Sequence, residues 1–414
     1  MKHINKYHAL FFLFILVGYY AQGQNNPNQQ RSIIIDSIFS KTLNEQRQFF
    51  VQFPQDYDEK SDKKYPVAII LDGEFLLPTV NNFQGYYSGG FTPEMILVGI
   101  SNLKNRTRDL TTSTITENYG MPYNRENGEA SNFIKFIEDE FIPHIEKIYP
   151  VTNYRTLIGH SYGGLFTIYT FLYHLNLFSN YIAIDPSLDW DNQKLVKASQ
   201  DIIANENYEG KSLFMSLNGQ LHMQKPEITI DNVMQDDSDF TSFPRSNIML
   251  KNIIEENEGN GLNFTWKFYP RDLHGTIQFP SIMDGLISIF QWFQMENTQK
   301  FNSFETSTEE LQAIIKNRAD KLYKNFGYQV PPYPEDLLIV LGDMSTDMKK
   351  NKKAKMFYEF AVEYYPLSAR AHTSMAEYYE NNNDFKSSLE YAQKAFSLDS
   401  NNYLKKKIER LKGY

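Results

Sequence analysis

Six short apolar runs recur along the first two thirds of the chain, each ending at a turn signal. They are "YPVAIILDG" (65–73), "MILVGIS" (95–101), "RTLIGHS" (155–161), "YIAIDPS" (181–187), "SLFMSLNG" (212–219) and "NFTWKFYP" (263–270). Continuous apolarity, in place of period-two alternation, marks strands covered on both faces. Helical patterns such as "ASNFIKFIEDEFIPHIEKIY" (130–149) and "GGLFTIYTFLYHL" (163–175) lie between them. Strands alternating with helices build a mostly parallel sheet with helices on both sides, so the expected fold class is α/β. "RSIIIDSIF" and "RQFFVQFP" read as antiparallel strands ahead of it, and the whole α/β region covers residues 30–296.

The pattern then changes to helices alone. With 414 residues the chain exceeds the usual size of one hydrophobic core, so a second domain over 303–414 is expected. "STEELQAIIKNRADKLYKNFG" opens on a Ser/Thr cap, carries acids in its first turn and closes on Gly327. "VPPYPED" (330–336) is a rigid break. Beyond it a 34-residue shift lays Phe357 on Tyr391, Ala361 on Ala395 and Gly342 on Ala376. A period of this length resembles tetratricopeptide repeats, here two over about 337–402 with "YLKKKIERLK" as a capping helix. Two repeats are fewer than the ~3 that a free-standing array needs. They are therefore expected to pack on the first domain or on a second chain, through a protein partner or self-association.

A net charge of −9 argues against a nucleic-acid partner, since phosphates call for a basic face. Lys2, His3 and Lys6 precede "ALFFLFILVGYY", and small Ala21 and Gly23 follow it. That order predicts a signal peptide over 1–23, cut before Gln24, with no integral membrane span after its removal. The expected location is periplasmic or secreted. The chain has no cysteine, so neither a disulfide nor lipid attachment at a cysteine is available.

Gly159-His160-Ser161-Tyr162-Gly163 fits G-x-S-x-G where a buried strand turns into a helix, which is the context this motif requires. A packing accident at such a corner is the bland alternative; a nucleophile would need partners elsewhere. The base is expected on a loop after the last strand, and His274, 113 residues downstream, occupies it. His222 is its rival, while His160 adjoins the serine with its ring expected to point elsewhere. The acid is expected after "SLFMSLNG", but Asn218-Gly219-Gln220 carries no carboxylate. Asp236, Asp237 and Asp239 come next, and Asp236 is favoured. The amides of Tyr162 and Glu74 are the candidate oxyanion donors.

"LDGE", "NRTRDLT" (105–111), "GHSYGG", "IDPSLDW" (184–190) and "HGT", in this order, resemble the α/β-hydrolase esterase family that contains esterase D and the enterochelin esterases. The resemblance spans residues 35–295. It implies ester hydrolysis through an acyl-serine intermediate, with Ser161 as nucleophile and His274 as base, and with no metal or organic cofactor. Arg106, Arg108 and Asp109 match a family loop near the pocket, either holding an anionic substrate or bracing the loop. Two departures stand out. The usual acid position is lost at 218–220, and Asp185 stands where the family usually carries serine. The expected substrate is a small-molecule or glycan ester: a siderophore ester, with a carbohydrate acetyl or feruloyl ester as rival. Lys104, Arg106 and Arg108 would supply positive charge for an anionic siderophore. From a different class, the chain could be a non-catalytic envelope protein that docks partners through its repeats.

Overall fold

The structure is a computed structural model that describes residues 33–413, apart from 56, 58, 60–62 and 304. The expected signal segment, 1–23, lies outside the described residues. The chain divides into two compact units after Gln294.

The first unit is built on one eight-stranded sheet. Its strands are β1 (Ile34–Ser40), β2 (Glu45–Gln52), β3 (Tyr65–Ile70), β4 (Ile96–Ile100), β5 (Val151–His160), β6 (Asn180–Ile184), β7 (Ser212–Asn218) and β8 (Asn263–Tyr269), in the spatial order β1-β2-β4-β3-β5-β6-β7-β8. β1, β2 and β4 pair antiparallel, and every pairing from β4 onward is parallel. β3, β4, β6 and β7 are buried along their full length, as their uninterrupted apolar runs require. Each large side chain so buried contributes roughly 1.5–3 kcal/mol.

The helices of this unit are α1 (Gly73–Tyr87), α2 (Arg106–Leu110), α3 (Ala130–Phe136), α4 (Ile142–Ile148), α5 (Tyr162–Tyr173), α6 (Trp190–Asn205), α7 (Ser242–Glu256) and α8 (Gln278–Ile289). The single helix expected over 130–149 is divided by a π turn at Ile137–Phe141. Pro143, at the start of α4, has no amide to give, so the regular ladder cannot run through this point.

Register decides where chemistry can sit. His160 lies opposite Ile184, and Ile184 opposite Ser216. The residues just beyond β5 and β6, Ser161 and Asp185, therefore emerge side by side at one edge, where β7 also ends. The loop after β8 carries His274.

The second unit holds helices alone: α9 (Thr298–Asn302), α10 (Thr308–Phe326), α11 (Glu335–Asp347), α12 (Asn351–Tyr364), α13 (Ala369–Asn381), α14 (Phe385–Leu398) and α15 (Asn402–Leu411). The offset from Glu335 to Ala369, and again from Asn351 to Phe385, is 34 residues. Leu311, Ile315, Leu338, Phe357 and Phe360 share one core cluster; Ala376, Ala392 and Leu411 share another. A Cβ at Gly342 would sit 2.5 Å from the Tyr358 ring, so α11 and α12 approach closely only because that side chain is missing. Among the described residues no helix is long and apolar enough to cross a membrane.

Candidate active site

The corner between β5 and α5 places Ser161 at φ 61° and ψ −117°, a conformation that costs a non-glycine residue on the order of 1–3 kcal/mol. Its neighbours have to be small. A Cβ at Gly159 would fall 2.2 Å from the Gly163 carbonyl oxygen, and one at Gly164 would fall 2.9 Å from Pro186. The strain lifts the Ser161 side chain out of the sheet edge, while its backbone amide donates to Ile184 at 3.0 Å.

The histidine expected from the sequence does reach it. His274 Nε2 lies 3.0 Å from Ser161 Oγ, and His274 Nδ1 lies 2.5 Å from Asp185 Oδ2. A carboxylate only accepts, so Nδ1 carries the proton and Nε2 presents a lone pair to the serine hydroxyl. Phe243 meets the His274 ring edge-on at 5.5 Å. A second hydroxyl, Ser187 Oγ, stands 3.2 Å from Ser161 Oγ.

Asp236, the acid favoured from sequence, is elsewhere. Its carboxylate accepts from Ser238 and Thr241 and pairs with Lys225 at 3.3 Å. Bonds from Ser238 hold it well below the usual carboxylate range. It is a loop staple, and the partner of His274 is Asp185. That residue is fully buried, with φ 45°. It accepts from the Asn218 amide at 2.9 Å and from Asn218 Nδ2 at 2.7 Å. Asn218 therefore spends its side chain holding the acid one strand away. Asp189 also borders the site; burial pushes its carboxyl up, and the donating Tyr119 hydroxyl pulls the other way.

The arginine loop resolves unevenly. Arg106 pairs with Asp72 through Nε at 2.9 Å and Nη2 at 2.9 Å, and Nη2 also reaches the His160 carbonyl at 3.1 Å. It braces the serine corner from beneath the Tyr162 ring. Arg108 donates to Glu45 at 2.7 Å and to Asp109 at 2.8 Å, and Arg47 donates to Asp109 at 2.6 Å. Asp109 is fully buried. Of the two roles the family loop implied, these pairings fit bracing for Arg108 and Asp109, since Glu45 and Arg47 on β2 engage them. The positive charge expected at 104–108 is largely neutralised internally.

The two expected oxyanion donors lie in the first turns of α5 and α1, where helix amides have no intrahelical acceptor. Burial pushes the Glu74 carboxyl above its usual range; its own amide holds it in the opposite sense, and Asp72 adds to the rise. Tyr162 and Tyr123 pack against Trp190 at 5.4 and 5.6 Å, forming an aromatic wall beside the serine. His160, Asp185 and His274 hold donor atoms within 4.8 Å of one another, a set that a divalent cation accepts in principle. The hydrogen bonds already engage all three: His160 Nε2 faces the His274 carbonyl at 2.9 Å, and His274 bridges Asp185 and Ser161.

Residues 40–239 match the family described as "Putative esterase", a family of carboxylic ester hydrolases. Just under half of the chain is thus similar to an esterase family, and its fold is of the α/β-hydrolase type. Among curated relatives, the ferri-bacillibactin esterase BesA of Bacillus subtilis is 29% identical over 178 residues, 39% of this chain and 61% of the relative. The siderophore enterobactin esterase of Emericella nidulans is 33% identical over 107 residues, 25% of this chain and 34% of the relative. The chain thus spans less than two thirds of the length of either. Among solved structures, an IroE-like serine hydrolase from Shewanella oneidensis shares the fold, with a TM-score of 0.64 at 24% identity, over 80% of this chain and 99% of that one.

Proposed function

We propose that the chain is an exported serine esterase that cleaves carboxylic esters through an acyl-serine intermediate. The observation that carries this reading is the relay from buried Asp185 through His274 to Ser161, at 2.5 and 3.0 Å. Ser161 Oγ attacks the ester carbonyl as His274 Nε2 takes its proton. The resulting oxyanion is held by the amides of Tyr162 and, once it turns from its own carboxylate to the substrate, Glu74, each such donor supporting kcat by about 10²–10³-fold. His274 then protonates the departing alkoxide, leaving acyl-Ser161. A water, deprotonated by the same nitrogen, releases the acid and restores the serine. Asp185 keeps the ring in the working tautomer and stabilises the imidazolium.

The relatives named above support a siderophore-type ester as the substrate class. A second reading, a neutral acyl ester on a sugar, is favoured by the internal pairing of Arg106 and Arg108, which leaves little net charge to attract a polyanion. Export rests on the basic residues and apolar run of the first 23 positions. The helical unit, with its 34-residue offset, serves in this reading as a docking surface for a protein partner or a second copy.

Purified protein assayed on p-nitrophenyl acetate beside Ser161→Ala tests the chemistry, and equal rates would end the esterase reading. A panel of ferric and iron-free siderophores, acetylated xylo-oligosaccharides and feruloyl sugars then separates the substrate classes. N-terminal sequencing of the protein recovered from cells tests cleavage before Gln24.

A further inference from the structure

We propose that His160, the residue immediately before the nucleophile, is a positioning residue that locks the His274 loop in its working geometry, with Gln278 as a second arm. The proposal rests on the esterase reading above and deepens it.

His274 sits on the loop between β8 and α8, and its side chain is 43% exposed. A base so open to solvent has little packing to fix it. What holds its backbone comes from the nucleophile's own strand. His160 Nε2 lies 2.9 Å from the His274 carbonyl oxygen. A carbonyl can only accept, so Nε2 carries the proton and Nδ1 is left as an acceptor. Gln278 Nε2 lies 3.3 Å from both ring nitrogens of His160, of which only Nδ1 can accept, and also reaches the His274 carbonyl at 3.4 Å. The two imidazoles lie 4.6 Å apart, tilted by 38°.

The clamp works only while His160 is neutral, because an imidazolium would repel Gln278 Nε2 and the charged His274 of the reaction. Burial, reinforced by the His274 and Arg106 charges, holds His160 down to about 3. One ring stays neutral so that the adjacent one can cycle. A single strand end thus carries the nucleophile and the tether of its base, so any movement of the corner takes both together. Loss of that coupling acts on the reacting geometry more than on binding: a misplacement near 1 Å costs about 10²-fold in rate.

The test uses the purified full-length protein and compares wild type with His160→Leu, His160→Gln, Gln278→Leu and Ser161→Ala. Three readouts are taken: kcat and KM on p-nitrophenyl acetate, the low-field proton resonance of the His274 Nδ1–H bonded to Asp185, and the thermal midpoint. For His160→Leu the expected result is a kcat lower by about 10²-fold, KM within about twofold, and a broadened or lost resonance. His160→Gln, which returns an N–H to the His274 carbonyl, should recover about tenfold of that loss and restore the resonance. Wild-type kcat with an intact resonance in His160→Leu overturns the proposal. So does an equal loss in the Leu and Gln variants with the resonance unchanged. If His160→Leu does not fold, Gln278→Leu decides by the same resonance, which should broaden. Activity retained by Ser161→Ala removes the esterase reading itself and the clamp's purpose with it.

Discussion

The two units treat the same physical problem in opposite ways. Every helix begins with amides that have no intrahelical acceptor. In the helical unit four of the seven described helices satisfy one of those amides with a side chain: Ser307 accepts from Glu310, Ser368 from Ala371, Asp384 from Ser387 and Asn401 from Leu404. In the α/β unit none of the described α-helices has such a cap, and the two nearest the site also begin from strained residues. Their N-cap residues, Asp72 and Ser161, are non-glycine residues at φ 50° and 61°. Within the α/β unit these are the two described α-helices that start from a positive-φ residue, and both lie where chemistry is proposed. The difference teaches that the strained φ, more than the missing cap, marks the corner.

The largest effect expected from this contrast lies at the strained corner. Ser161→Ala should lower kcat by about 10⁴-fold or more while leaving the fold intact. A fluorophosphonate should label wild-type protein at Ser161, read by peptide mass spectrometry, and labelling at another serine would break the contrast.

Acid should open the α/β unit before the helical one. His160 ionises in the unfolded chain near its ordinary 6.5 but is held down to about 3 by burial in the fold. Between those values the unfolded chain carries the extra proton, so stability falls as pH drops from about 6.5 toward 3. Glu45 adds a second slope. Burial pushes it up, but bonds from Arg108, Arg47 and Asn105 outweigh that and hold it at about 2 against an ordinary 4.5. Its contribution is present above 4.5 and is lost as pH falls toward 2. Hydrogen exchange at pH 7 and pH 4 should show amides of β5 to β8 opening first, and earlier opening of α11 to α14 would contradict this. His160→Gln should flatten the slope.

The smallest effects belong to the caps. Ser368→Ala and Asp384→Ala should each lower the stability of the helical unit by about 1 kcal/mol, measured by urea unfolding, with kcat unchanged. A change in kcat would mean that the helical unit reaches the chemistry.

The strand runs, the serine corner and the base were legible because each is a local requirement: continuous apolarity for a doubly covered strand, small residues around a tight turn, a histidine after the last strand. The acid was not, because register made it. Asp185 serves only since β6 lies beside β5 with Ile184 opposite His160, and linear spacing carries no trace of that pairing. A signal was nonetheless present in two departures from the family read separately. The position without a carboxylate at 218–220 and the carboxylate at 185 lie on adjacent strand ends, and Asn218 binds Asp185. The roles of Arg108 and Asp109 were hidden for a similar reason, since Glu45 and Arg47, which claim them, lie more than sixty positions earlier. The ring of His160 turns toward the His274 loop, a direction the motif alone does not specify.

The most direct measurement compares Asp185→Asn with Asp236→Asn on one ester substrate, with the His274 Nδ1–H resonance followed in both. The account predicts a fall in kcat of about 10⁴-fold and loss of the resonance for Asp185→Asn, with Asp236→Asn within about twofold of wild type. Full activity in Asp185→Asn, or a loss confined to Asp236→Asn, would contradict it.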